Sequence, residues 1–190
     1  MRVAPALATL TLVGIAMVAE GASLALDDRA IEAAVAVGEG TVNRETFGDE
    51  WRVRNQAGHV LMVMTPFHRV ALAARHAGFR KEPLKPRELQ RAAKEQRDRL
   101  VLWLDLRGPR EDFARFYAPR LTVQDRPVEP SFVQNEHTAK RASEGSGFIA
   151  RCVYSFPTKT ITGTSKAVLL VRDGDGKEVT SFSFDLGAMR

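Results

Sequence analysis

The sequence predicts an α+β protein in which a mainly antiparallel β-sheet or β-sandwich carries two or three helices from the N-terminal half. After residue 99, short apolar segments recur at intervals of roughly ten residues or more, as they do in antiparallel sheets. The helical patterns lie before residue 99, and strands do not alternate with long helices as in doubly wound parallel folds.

The first 25 residues have the pattern of a secretory signal. After a positively charged start, residues 3–19 carry no charge, and Ser23-Leu24-Ala25 places small residues where a signal peptidase cuts. A cut after Ala25 is preferred to one after Ala22, and it leaves residues 26–190 as a single domain. The alternative is an uncleaved anchor, although the apolar run is slightly short of the about 20 residues that span a membrane. We therefore expect a periplasmic or secreted protein that meets the membrane only if the signal is retained.

The part of the domain at residues 26–98 predicts helices and one hairpin. Asp28 is the expected N-cap of a helix over 29–37 that stops at Gly38. Thr65 followed by Pro66 is typical of a helix start and predicts a helix over 66–77. The remaining expectations are a hairpin of strands 51–54 and 60–64 and a surface helix over 86–98 with a thin apolar face.

The part at residues 99–190 is expected to be rich in strands. Residues 100–104 are apolar on both faces and predict a central strand, whereas Pro119 indicates an edge or a bend within 113–123. Residues 137–147 are polar and predict an exposed loop. The other expected strands cover 132–133, 148–156, 167–171 and 179–186, the last two joined by a tight turn over 173–176.

The net charge of +5 is concentrated in one segment. Residues 79–120 contain twelve Lys and Arg against seven Asp and Glu, and such asymmetry can serve an anionic partner. Arg87, Arg91 and Lys94 fall at i, i+4 and i+7 on one helix face and form the candidate binding surface. The alternative is a solvated helix face whose charges pair within the helix, as Lys94–Asp98, Arg91–Glu95 and Glu95–Arg99.

The residue types that carry catalysis or bind metals do not form a motif in this chain. Cys152 shares the core face of its strand, where a thiol stays protonated and inert. His68 and His76 are eight positions apart on one helix, about 12 Å, which is too far for one zinc ion. Asp173 and Asp175 fit a tight turn better than a calcium loop. The sequence has no G-x-S-x-G elbow and predicts no metal site and no cofactor.

The export pattern and the lack of a catalytic motif favour a non-enzymatic module that binds another protein or an anionic component of the cell envelope. Nucleic acid is not expected as a partner, because few aromatic residues interleave with the basic ones. The alternative is a small envelope hydrolase whose active site has no recognisable motif, since members of a catalytic triad can lie far apart in the chain.

Overall fold

A computed structural model describes residues 21–143 and 145–190, which form three helices and ten strands. The predicted signal segment lies outside the described residues as far as residue 20. The helices are α1 (Asp28–Gly40), α2 (Pro66–Phe79) and α3 (Pro86–Lys94). The strands are β1 (Arg52–Arg54), β2 (Val60–Met64), β3 (Arg99–Gly108), β4 (Ala118–Val123), β5 (Arg126–Val128), β6 (Phe132–Gln134), β7 (Lys140–Arg141), β8 (Phe148–Pro157), β9 (Lys166–Arg172) and β10 (Glu178–Asp185). Short 3-10 helices cover Asp49–Trp51 and Leu186–Ala188.

The strands form two sheets in which every pairing is antiparallel, so the predicted α+β class is confirmed. The larger sheet has the order β1-β2-β3-β8-β6, and β7 also pairs with β8. The smaller sheet has the order β10-β9-β4-β5. All three helices belong to the N-terminal half, where the hairpin of β1 and β2 adds directly to β3.

The core lies between elements from both halves of the chain. Along β3, every second residue is a fully buried leucine, and the intervening residues are half-buried. This period of two assigns one face of the sheet to the core. One cluster of buried side chains joins that face to the smaller sheet and to α1 and α2; it includes Ala34, Val70, Leu102, Leu104, Leu121, Tyr154, Leu169 and Phe182.

The start of α2 is fixed as the sequence predicts. The Thr65 hydroxyl accepts a hydrogen bond from the backbone N–H of His68 at 3.1 Å, and Pro66 occupies the first turn. The same hydroxyl donates to the carbonyl oxygen of Arg190 at 2.6 Å, which also accepts from the Trp51 indole at 2.8 Å. The cap of α2 is thereby tied to the C-terminal segment.

The first helix differs from its prediction at both ends. Its N-cap is Asp27 rather than Asp28, and the Asp27 carboxylate accepts from the N–H of Ala30 at 2.7 Å. The helix continues through Gly38, because α1 packs closely on α2 at that residue. A Cβ at Gly38 would lie only 2.2 Å from the carbonyl oxygen of Ala71, so glycine there allows close packing rather than ending the helix.

The third helix ends at Lys94, four residues before its predicted end. Gln96 is buried and Asp98 has a φ of +61°, a backbone that turns the chain into β3. Two of the three predicted charge pairs therefore have no helix to support them, because Asp98 and Arg99 lie beyond its end. Arg99 instead donates to the backbone carbonyl of Glu95, with its Nε at 2.8 Å.

The strand-rich half agrees with the expectation of an edge or bend at Pro119 and differs from the expectation of a loop over 137–147. β4 follows an irregular segment, and Pro119 lies where β4 pairs with β9 alone, since β5 pairs only with residues 121–123. Proline is tolerated there because its side of the strand needs no donor. The predicted loop over 137–147 contains the two-residue strand β7, and Ala139 is buried in the core.

Among residues 21–143 and 145–190, no helix is both long enough and apolar enough to cross a membrane.

Candidate anion-binding groove

A shallow groove of about 190 Å³ separates α2 from α3. Both walls carry arginine side chains: Arg69 from α2, Arg80 from the connection, and Arg91 from α3; His76 of α2 also lines the groove. Arg69 and His76 lie on the same face of α2, because seven residues complete about two helical turns. We call this feature the α2–α3 groove; Ala73, Leu84, Glu88, Ala92 and Glu95 complete its lining.

Ion pairs at its two ends hold the helices antiparallel. At one end, Nε and Nη2 of Arg69 donate to one carboxylate oxygen of Glu95, at 3.1 and 2.7 Å. At the other, Arg80 lies 3.8 Å from Glu88, a looser contact. In each pair, the side chain of at least one partner is more than a third exposed to solvent. Each pair therefore contributes little to the free energy of unfolding, about 1 kcal/mol or less. The pairs place the Arg69 and Arg80 guanidinium groups beside the carboxylates of Glu95 and Glu88.

The groove lies in the most strongly basic part of the molecule. Residues 66–99 contain ten Lys and Arg and four Asp and Glu, a net charge of +6, whereas the whole chain carries +5. Within the described part of the chain, no carboxylate comes within 4 Å of the Arg91 guanidinium. Such an excess on a surface attracts anions and raises their local concentration.

The dimensions of the groove restrict what it can accept. Pockets for drug-sized ligands have volumes of roughly 300–1,000 Å³, so a groove of about 190 Å³ suits one small charged group. Arginine is suited to phosphate and carboxylate, because its planar guanidinium donates two parallel hydrogen bonds to such oxygens. The volume of the groove and the guanidinium donors in its lining suit a single phosphate or carboxylate group.

Arg87, Arg91 and Lys94 all lie on α3 and are exposed, but they differ in their position relative to the groove. Arg91 lines the α2–α3 groove, whereas Arg87 and Lys94 are exposed on α3 outside its lining. The predicted pair of Arg91 with Glu95 is replaced by the pair of Arg69 with Glu95. All three basic residues thus remain accessible to solvent.

Sequence reasoning missed the contribution of α2 to this site. Arg69, His76 and Arg80 fall at i, i+7 and i+11, a helical stripe that could have been noticed. What the sequence lacked was the information that this stripe faces α3, which depends on the packing of the two helices.

A larger depression of about 610 Å³ lies beside the smaller sheet, but its charges are mixed. Its lining includes Lys166 together with Asp125 and Asp185, and Lys166 lies 3.9 Å from Asp185. The two acidic groups outnumber the single lysine there, whereas three arginines outnumber two glutamates in the lining of the α2–α3 groove.

Three other titratable side chains, those of Cys152, His68 and His59, are buried. Cys152 is completely buried, as predicted, and burial raises the pKa of its thiol. The ring of His68 stacks on Trp51 with centroids 4.2 Å apart, and burial lowers its pKa to about 4. The ring of His59 accepts a hydrogen bond from the backbone N–H of Arg107 at 3.0 Å. Burial lowers the pKa of His59, and the positive charge of the Arg107 guanidinium lowers it further. These three groups serve the packing of the fold.

The carboxylates of the last hairpin form the predicted turn. Asp173 accepts hydrogen bonds from the N–H groups of Asp175 and Lys177 at 3.0 and 2.9 Å, and Gly176 has a φ of +80°. Across residues 21–143 and 145–190, no group of three or more His, Cys, Asp or Glu residues is placed to hold a metal ion.

Comparison with known proteins adds a distant structural similarity. No protein-family model and no curated protein matches the sequence. The fold is similar to a crystal structure described as a novel protein of unknown function from Burkholderia pseudomallei K96243. The alignment covers 83% of this chain and 90% of that one, at 11% identity and a TM-score of 0.43. A likeness of that degree supports no functional argument.

Proposed function

We propose that this chain is a non-enzymatic binding module of the bacterial cell envelope, periplasmic or secreted, that recognises an anionic envelope component through the α2–α3 groove. The observation that carries the proposal is the net charge of +6 over residues 66–99, with Arg69, His76, Arg80 and Arg91 around one small groove. The location rests on the N-terminal export pattern.

The expected ligand is a molecule that carries several phosphate or carboxylate groups. One such group fits the groove, and the exposed cations outside it, Arg87 and Lys94, offer weaker contacts to neighbouring groups of the same ligand. A polyanion gains affinity from several such contacts, because each lysine or arginine near an anionic surface contributes about 1 kcal/mol. Single small anions are therefore expected to bind more weakly than polyanions.

Substitutions separate the contribution of the groove to binding from that of the surrounding basic surface. Charge reversal of Arg87, Arg91 and Lys94 together should weaken binding by at least about tenfold, since three cations of about 1 kcal/mol each are lost. The single variant Arg91→Gln should weaken binding more than Arg87→Gln, because only Arg91 lines the groove. The control is charge reversal of Lys140, Lys159 and Lys177, which are exposed on other elements.

Three immobilised probes separate the sources of anionic charge: polyphosphate, the carboxylated glycan polygalacturonate, and vesicles of phosphatidylglycerol compared with phosphatidylcholine. Retention is measured over a range of salt concentrations, and binding is expected to weaken as salt rises. The proposal would be contradicted if the wild type and the variant with Arg87, Arg91 and Lys94 reversed were retained equally. It would also be contradicted if the control variant lost as much binding as that variant. A preference for one probe identifies the chemical class of the ligand.

A further inference from the structure

The chain segment Ala22–Leu26 is part of the folded domain. Ala22 is 3% exposed and belongs to the core, and its backbone N–H donates to the carbonyl oxygen of Leu186 at 2.9 Å. Leu24 and Leu26 are half-buried and pack against the same core. The start of the described chain is therefore fastened to the 3-10 helix that follows β10.

A close backbone contact completes this attachment. The Cα of Gly163 approaches Ala22 so closely that a Cβ at residue 163 would lie 2.2 Å from the Ala22 carbonyl oxygen. Two backbones approach this far only where one residue lacks a side chain. The requirement for glycine at position 163 therefore comes from the Ala22 backbone, and a chain without Ala22 would not have it.

A signal cut after Ala25 would remove most of this attachment. It would delete the hydrogen bond of Ala22 to Leu186 and expose the apolar surface that Ala22 and Leu24 cover. A cut after Gly21 preserves both and gives up only the close approach of Gly21, where a Cβ would lie 2.2 Å from the carbonyl oxygen of Gly163. Ala19-Glu20-Gly21 also has small residues at the two positions that a signal peptidase reads. A chain that begins at Ala22 keeps a nitrogen donor at the position that bonds Leu186.

We propose that the leader is removed by hydrolysis of the Gly21–Ala22 peptide bond, so that the mature protein begins at Ala22 and keeps the segment Ala22–Leu26 in its core. Water adds across the amide, which leaves a carboxylate on Gly21 and an amino group on Ala22. The inference rests on the export that belongs to the proposed function. It adds the position of processing and the structural reason for that position.

The test is N-terminal sequencing and intact-mass measurement of the full chain, expressed with its own leader in a bacterial host and recovered from the periplasm or medium. The expected first residue is Ala22. A protein that is exported but begins at Ser23 or Leu26, or upstream of Ala22, overturns the proposed position and leaves export intact. A chain with Met1 in the cytosolic fraction overturns export itself, and with it both proposals, so the two failures are distinguishable.

Two leader variants sharpen the result. Gly21→Leu places a large residue directly before the proposed bond and should cause the uncut precursor to accumulate. Ala25→Leu blocks a cut after residue 25 in the same way, and its exposed side chain disturbs no core contact. Processing of Ala25→Leu as in the wild type, with loss of processing in Gly21→Leu, is expected. The opposite pattern would refute the site.

The packing of Ala22 against Gly163 in the mature protein is tested by thermal unfolding. Gly163→Ala should lower the melting temperature by about 3 °C or more, because the new Cβ displaces the Ala22 backbone. Gly40→Ala is the matched control, since a Cβ at Gly40 meets nothing within 4 Å. Equal melting temperatures for the wild type and the Gly163 variant would contradict the retention of Ala22.

Discussion

Protonation of a buried histidine is expected to destabilise this protein in mild acid. His68 is 3% exposed, stacks on Trp51, and has its Nδ1 3.3 Å from the carbonyl oxygen of Val63. Burial lowers its pKa from 6.5 to about 4, because the ring loses the water that would stabilise its charge. Replacing His68 with Phe keeps a flat ring on Trp51 and removes the titrating group.

The direction of the effect follows from where the proton binds first. The unfolded chain takes up the proton near pH 6.5 and the folded protein only near pH 4. The stabilisation is therefore complete above pH 6.5 and is lost as the pH falls from 6.5 to 4. At about 1.4 kcal/mol per unit of pKa difference, the full loss is about 3 kcal/mol, and about 2 kcal/mol of it occurs between pH 7.5 and pH 5.

Urea unfolding of the wild type and of His68→Phe at pH 7.5, 6 and 5 measures this contribution. With a slope of about 2 kcal/mol per molar urea, the wild-type midpoint should fall by about 1 M more than that of the variant. His76→Gln is the control, because it removes an exposed histidine from the same helix and leaves the buried ring of His68 in place. The lowered pKa of His59 acts in the same direction in all three proteins and cancels in the comparison.

An identical pH dependence in the wild type and His68→Phe would refute this reasoning. If the variant does not fold, an NMR titration of the wild-type ring decides the question. The ring resonances of His68 should remain those of the neutral form at pH 5, whereas titration of His68 near pH 6.5 would show that the folded structure does not lower its pKa.

Two further predictions concern packing. Gly38→Ala should lower the free energy of unfolding by about 1–3 kcal/mol in a urea titration, because its Cβ would meet the Ala71 carbonyl where α1 and α2 touch; Gly40→Ala should have no such effect, and equal stability of the Gly38 variant would argue against the close helix contact. The Cys152 thiol should react with a disulfide reagent at least about a thousandfold more slowly in the native protein than in urea, because it is fully buried and its exposure requires global opening. Fast labelling under native conditions would contradict that burial.

The local signals in the sequence determined the individual elements. Thr65 and Pro66 specified the start of α2 because a cap oxygen and a ring that lacks an N–H suit a helix terminus wherever the helix lies. The run of residues 100–104, apolar on both faces, predicted the central strand β3. Period-two counting along β8 assigned Cys152 to the core, since side chains of a strand point to opposite faces in turn. These features depend on neighbours in sequence, so a single sequence is sufficient to predict them.

The tertiary structure decided the features that depend on contacts between distant residues. Gly38 alone predicts a helix end, and only the approach of α2 explains why α1 continues through it. Arg91 was predicted as part of an exposed basic face, but its partners Arg69 and Arg80 join it because α2 packs antiparallel to α3. The candidate groove forms only because α2 and α3 pack against each other. Their packing energies depend on three-dimensional distance, which the order of residues along the chain does not specify by itself.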